Sequence, residues 1–267
     1  MRKNLIYTVA FDQEGHPYHR QLVRFLIATL LRTRWSGDIM VFRNHEQPIF
    51  PNKLGINEVL VPRKGLTESE HIEDAWCWKY RVREYIDASQ YDMIMFLDDD
   101  CMALRNLDHL LDVRREVDVL YQTENLPIWK GQFSAFLTDD EMKMRRKGIN
   151  SGQLAVRGSV FQDVMTAWEE RDTAEVTQMP GCFDQASWNR LILDCDYGKL
   201  PWNAKHFERG EVRFPLHCDP AWSEYTKGAL VHTMGVGSDR KLQFSLGLYT
   251  STFFYDNSMS LFNILEV

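Results

Sequence analysis

A chain of 267 residues with 44% hydrophobic and 26% charged residues can bury a sizeable core, as one large α/β domain or a domain with an appended subdomain. Its formal charge of -7 excludes a generally basic surface, and with it nonspecific nucleic-acid binding, and no run is apolar for long enough to suggest a transmembrane segment. The cysteines, Cys77, Cys101, Cys182, Cys195 and Cys218, are odd in number and contain no C-x-x-C pair, which argues against a disulfide framework and a structural zinc site. A reducing compartment follows, so the expected location is cytoplasmic or peripheral at a membrane.

The first apolar run, Leu5 to Ala10, is short and ends at Asp12, so it reads as a strand and not as an export signal. Pro17 stands at the start of a helix whose Leu22, Val23, Leu26, Ile27, Leu30 and Leu31 recur at spacings of three and four, with Gly37 closing it. Strands are expected at 38–42 and 58–61, and a helix from Asp74 through Ile86. Strand, helix and strand in succession imply a right-handed parallel unit. Met93 to Leu97 is apolar without alternation, as in a strand of a parallel sheet covered on both faces, and it ends in Asp98, Asp99 and Asp100.

Side chains alternate along an extended chain, so Asp98 and Asp100 point one way and Asp99 the other. Carboxylates held that close repel unless a cation or a proton sits between them, and a divalent metal answers this economically. One Asp suffices to cap a turn, whereas three in a row at the carboxyl end of a strand stand where open α/β sheets bind ligands.

Beyond the triplet a short helix at 106–111 is opened by Asn106, and a strand follows at 117–121. Residues 122–147 have turn residues, mixed charges and weak periodicity, and read as an excursion or subdomain over the active edge of the single domain. Asn150, Ser151 and Gly152 then run into a strand to Val156. A helix through Val160 to Trp168 is next, and Asp184 and Gln185 open another helix to Leu193. Short strands at 212–216 and 229–231 lead to His232, Thr233, Met234 and Gly235.

The ordered set of an acidic D-x-D (Asp98 to Asp100), N-S-G (Asn150 to Gly152), D-Q (Asp184, Gln185) and H-x-x-G (His232 to Gly235) resembles the GT-A glycosyltransferases, particularly the retaining enzymes of glycosyltransferase family 8 and related nucleotide-diphospho-sugar transferases. The resemblance spans roughly residues 5 to 241. It implies a Rossmann-like, mostly parallel central sheet flanked by helices. It also implies transfer of a sugar from a nucleotide-diphospho-sugar, UDP-linked, to a glycan or other hydroxyl acceptor with retention of configuration.

By that resemblance Asp98, Asp100 and His232 hold a divalent ion, Mn2+ or Mg2+, with the imidazole favouring manganese. Asp184 and Gln185 take the catalytic face of the donor sugar, Gln185 by position and not as a covalent nucleophile. Thr8, Ala10 and Asp12 resemble positions that receive base and ribose, and Asp99 meets the sugar or ribose. Lys79, Asn150, Gly152, Gly235 and Lys241 complete the donor site. Simpler roles stand beside these: a hydrogen-bonded structural His232, a tight turn at Asn150 and Gly152, a helix cap at Asp184 and a solvated Lys79. The family pattern places a Lys six residues after the His; here that residue is Ser238, with Arg240 and Lys241 nearby.

Two other functions compete. A glycan-binding or scaffolding protein can keep this fold without turnover. A sugar nucleotidyltransferase calls for a Gly-rich basic loop after the first strand, where this chain has the acidic Phe11 to His16.

Overall fold

The computed structural model describes residues 3–12, 17–50, 54–62, 76–112, 116–127, 137–145, 147–175, 183–208, 210–214, 227–233 and 238–253. In chain order the elements are β1 (Lys3–Ala10), α1 (Tyr18–Arg32), β2 (Asp38–Arg43), β3 (Asn57–Leu60), a helical stretch α2 at 76–81, β4 (Tyr91–Leu97), β5 (Cys101–Ala103) and α3 (Asp108–Leu111). They continue with β6 (Val119–Pro127), α4 (Asp139–Arg145), β7 (Lys147–Arg157), α5 (Phe161–Glu175), α6 (Phe183–Asp196), β8 (Ala204–His206), β9 (Val212–Arg213), β10 (Leu230–His232) and α7 (Ser238–Phe253).

Seven strands form one sheet in the order β3-β2-β1-β4-β7-β6-β8, and β5-β10-β9 form a second. The larger sheet is mixed: β2 pairs β3 and β6 pairs β8 in parallel, while β6 and β7 are antiparallel. The chain divides into two compact units, with boundaries at Leu5/Ile6 in β1 and Phe96/Leu97 in β4.

In the first unit the core is aromatic. Trp168 of α5 and Trp188 of α6 lie with ring centres 4.7 Å apart, and Tyr80 of α2 meets Trp168 edge-on at 5.5 Å. Each is fully buried, and rings of this size supply much of the apolar area a unit must bury. In the second unit α1 presents Leu22, Leu26, Ile27 and Leu30 inward, as their spacing predicts. The helix ends at Arg32, before Gly37, and Arg34 takes the left-handed turn at φ 59°. Thr29, also buried in α1, accepts a hydrogen bond at Oγ1 from the Ala103 N–H of β5 at 3.0 Å.

The structure also moves several element boundaries. Asn106 Oδ1 accepts from the Asp108 N–H at 2.8 Å, an Asx turn ahead of a helix that starts at Asp108. The strand expected at 117–121 runs on to Pro127 as β6. Within the stretch read as an excursion, 122–127 therefore belong to the sheet, 139–145 form α4, and 128–136 lie outside the described residues.

Between β6 and β7 the register jumps. Tyr121 faces Leu154 but Gln122 faces Asn150, leaving Ser151, Gly152 and Gln153 bulged from β7. Asn150 Oδ1 closes the bulge by accepting the Gly152 N–H at 2.8 Å. Such bulges re-aim side chains, and here Asn150 is turned to Glu124 of β6.

Candidate active site

The acidic triplet lies in the second unit, where β5 pairs antiparallel with β10 and sets His232 opposite Cys101. That register carries His232 back to the triplet. Its Nε2 stands 2.9 Å from Asp100 Oδ1 and 3.6 Å from Asp98 Oδ2. Asp100 Oδ1 is buried and takes no hydrogen bond of acceptable direction among the described residues, although the imidazole nitrogen is so near. An imidazole nitrogen and a carboxylate oxygen held this close can share a proton or, when a divalent cation is present, an ion. Ligand atoms of Asp100, Cys101 and His232 all lie within 4.8 Å of one another, a group that could hold a metal.

Lys241 of α7 takes the other oxygen of Asp100, with Nζ 2.5 Å from Oδ2. Burial alone would raise the Asp100 pKa, but His232 and Lys241 beside it hold the carboxyl well below the usual range. The same attraction raises His232 above an ordinary imidazole despite its burial, and raises Lys241 above an ordinary ammonium. Asp99 is directed to His19 Nδ1 of α1 at 2.5 Å, not by the alternation expected of an extended chain but because β4 ends at Leu97 and 98–101 turn, with the Cys101 N–H donating to the Asp98 carbonyl at 3.0 Å. Burial outweighs the His19 attraction and leaves the Asp99 pKa raised.

At the end of β1, Thr8 and Ala10 are buried. The Asp12 carboxylate is committed to the first turn of α1: Oδ1 accepts the His19 N–H at 2.7 Å and Oδ2 the Arg20 Nε–H at 2.7 Å. A carboxylate there satisfies otherwise unpartnered helix N–H groups and the positive end of the helix dipole. Gly235 lies outside the described residues.

The remaining predicted residues fall in the first unit and gather there. Asn150 Nδ2 donates to Glu124 Oε1 at 2.8 Å, and Gln185 Nε2 donates to the same oxygen at 2.9 Å. Lys79 is buried, not solvated: its Nζ lies 2.9 Å from Asp184 Oδ2 and 5.2 Å from the centre of the Phe96 ring. Asp184 thus neutralises Lys79, while its backbone carbonyl oxygen accepts from Trp168 Nε1 and lies 2.9 Å from Ser187 Oγ. Ser187 in turn donates to Asp172, which also accepts from the Tyr80 hydroxyl at 2.7 Å. Gln185 is anchored through its backbone carbonyl by Asn189 Nδ2 at 2.7 Å, and Asn189 also brackets both backbone groups of Ile149.

Sequence reasoning singled out neither His19 nor Glu124. His19 reaches Asp99 across eighty residues of chain. Glu124 reaches Asn150 and Gln185 only because of the β7 bulge, and no motif announces either contact.

No protein-family model matches the chain, and a search of curated proteins gives no significant match. Solved structures do match. An active-site mutant of LgtC superimposes with a TM-score of 0.59 at 13% identity, covering 91% of this chain and 95% of that one. The bifunctional glycosyltransferase WbbM gives a TM-score of 0.58 at 11% identity over 97% of this chain and 52% of its own. A glycosyltransferase involved in glycosylation of the major capsid of PBCV-1 gives 0.52 at 12% identity over 92% and 99%. The fold is that of the GT-A glycosyltransferases. Within this GT-A fold the acidic triplet stands at the carboxyl end of β4, where α/β sheets bind ligands, and the β7 bulge carries the N-S-G residues.

Proposed function

We propose that the chain is a metal-dependent glycosyltransferase that transfers a sugar from a UDP-sugar to a hydroxyl acceptor with retention of anomeric configuration. The observation that carries this reading is the return of His232 to 2.9 Å from Asp100 and 3.6 Å from Asp98, in a chain with the GT-A fold. Two carboxylates and an imidazole suit manganese, or magnesium with less help from the nitrogen. Bound there, the ion would neutralise charge that builds on the departing nucleoside diphosphate.

On this reading the chain's own residues divide the work. Asp98, Asp100 and His232 hold the ion. Lys241, the cation nearest Asp100, supplies positive charge for a diphosphate oxygen and takes the part that a Lys at position 238 has in the family pattern. Thr8 and Ala10, expected to receive base and ribose, have no exposed surface and so back that part of the site and do not touch the donor; Asp12 orders the start of α1, and Gly235 brings no side chain to obstruct the donor. Asn150, Gly152 and Gln185 present polar groups to the donor sugar. Lys79 and Asp184 neutralise one another and fix the first turn of α6, from which Gln185 projects. LgtC has been solved with donor and acceptor sugar analogues, and the likeness to that structure, at 14% identity and a TM-score of 0.54, supports a sugar donor and acceptor here.

The test is hydrolysis or transfer with a panel of UDP-sugars in the presence of manganese. Turnover is expected with at least one donor, lost on chelation and in Asp98→Asn. The product's anomeric configuration by NMR should match the donor's. Turnover that survives both chelation and Asp98→Asn would remove the metal from the mechanism.

A further inference from the structure

The Glu124 side chain is a carboxyl group with almost no access to water: the residue is 3% exposed and lies within β6, beyond the register jump against the β7 bulge. Its Oε1 accepts from Asn150 Nδ2 at 2.8 Å and Gln185 Nε2 at 2.9 Å. A carboxylate offers acceptors only, so each amide must turn its NH2 towards it and its carbonyl oxygen away. For Asn150 the oxygen so released closes the bulge on the Gly152 N–H. For Gln185 the released Oε1 has only a 3.5 Å contact with Asn150 Nδ2 among the described residues, too long to use its acceptor capacity. Gln185 therefore has its NH2 group anchored on the carboxylate through one hydrogen and its carbonyl oxygen turned off it, with acceptor capacity to spare. Its backbone is held independently by Asn189, so the amide's facing is the degree of freedom left to Glu124.

We propose that Glu124 is a positioning residue that fixes the Gln185 amide with Oε1, not Nε2, towards the donor sugar, an inference that rests on the glycosyltransferase reading above. Breaking the bond to a nucleoside diphosphate builds positive charge at the anomeric carbon. An oxygen dipole facing that charge stabilises it, whereas an NH2 group in the same place opposes it. The neutral isostere Glu124→Gln can donate to Gln185 Oε1 and so let that amide turn over, with no change of volume. Glu124→Asp keeps a pure acceptor.

The experiment compares wild type, Glu124→Gln and Glu124→Asp with a UDP-sugar that the wild type turns over, alongside calorimetric titration with UDP and manganese. In Glu124→Gln, kcat should fall about 10²-fold with donor KM, UDP affinity and melting temperature unchanged. Glu124→Asp should recover part of the loss. In parallel, 15N–1H spectra should show a Gln185 side-chain amide, assigned by its loss in Gln185→Glu, whose downfield-shifted proton moves upfield in Glu124→Gln. Wild-type kcat in Glu124→Gln, or Gln185 amide resonances that stay in place, would overturn the proposal. So would a rate loss matched by lost UDP binding and a lower melting temperature, because that is the pattern of a purely structural carboxylate. A wild type inert towards every UDP-sugar would instead sink the glycosyltransferase reading, and the amide spectra would still decide whether Glu124 sets the Gln185 facing.

Discussion

Asp98, Asp99 and Asp100 are neighbours in sequence with three different surroundings. Asp100 is buried between His232 and Lys241, Asp98 stands at the edge of the same imidazole, and Asp99 is turned to His19. On the proposed reading the outer two matter to the ion and the middle one does not. Manganese affinity, followed by electron paramagnetic resonance titration, should fall at least tenfold in Asp98→Asn and in His232→Gln, and much less in Asp99→Asn. Equal losses in all three would place the ion elsewhere. The opposed directions of Asp98/Asp100 and Asp99 are set by the turn that the Cys101 N–H closes on the Asp98 carbonyl, not by alternation in an extended chain, so only the crowding of three carboxylates is legible in the sequence. The partners are not: His19 belongs to a helix eighty residues upstream, and only tertiary packing brings it to Asp99. Lys79 misleads for a related reason, since a lysine on an amphipathic helix reads as solvated until Asp184 is seen buried against it.

At the scale of elements, the periodic helices and the apolar strands can be read directly, whereas the β7 bulge cannot. A small-residue turn and a three-residue bulge have the same composition, and only the pairing with β6 distinguishes them. The joint between β7 and α5 gives a sharp test. A Cβ built on Gly158 would lie 2.2 Å from the Tyr91 carbonyl oxygen and 2.5 Å from that of Ala88, both backbone atoms that cannot swing aside. Gly158→Ala should therefore destabilise the protein by about 1–3 kcal/mol in urea denaturation, the usual range for overpacking. A variant as stable as wild type would show that this approach is looser than described.

Helices α4, α5 and α6 are tied by a charge network. Asp194 accepts from Arg171 at 2.9 Å and from Arg190, which also donates to Glu141 at 2.9 Å. Burial would raise the Asp194 pKa, but Arg190 and Arg171 pull it below its ordinary value. A carboxyl depressed in the folded state contributes stability above its unfolded pKa of about 4, and loses that contribution as the pH falls through the folded value. Between about pH 5 and pH 3 the urea midpoint of wild type should fall more steeply than that of Asp194→Asn. Parallel falls would mean that the network carries no net pH-dependent stability.

For the whole molecule, the sequence leads to the GT-A fold through four short motifs in order, although no family model matches the chain. Those motifs are set by chemistry, while the surrounding core has many apolar solutions, so the site outlasts the sequence around it. Structural matches at 11–13% identity are consistent with that view. Among the described residues no helix is long and apolar enough to cross a membrane. The most direct test of the proposed metal-dependent nucleotide site is calorimetric titration of the full chain with UDP, with and without manganese. The account predicts UDP binding that requires manganese, disappears with chelator and is lost in Asp98→Asn while that variant keeps its wild-type melting temperature. Binding of equal affinity without metal, or no binding of UDP under either condition, would contradict it.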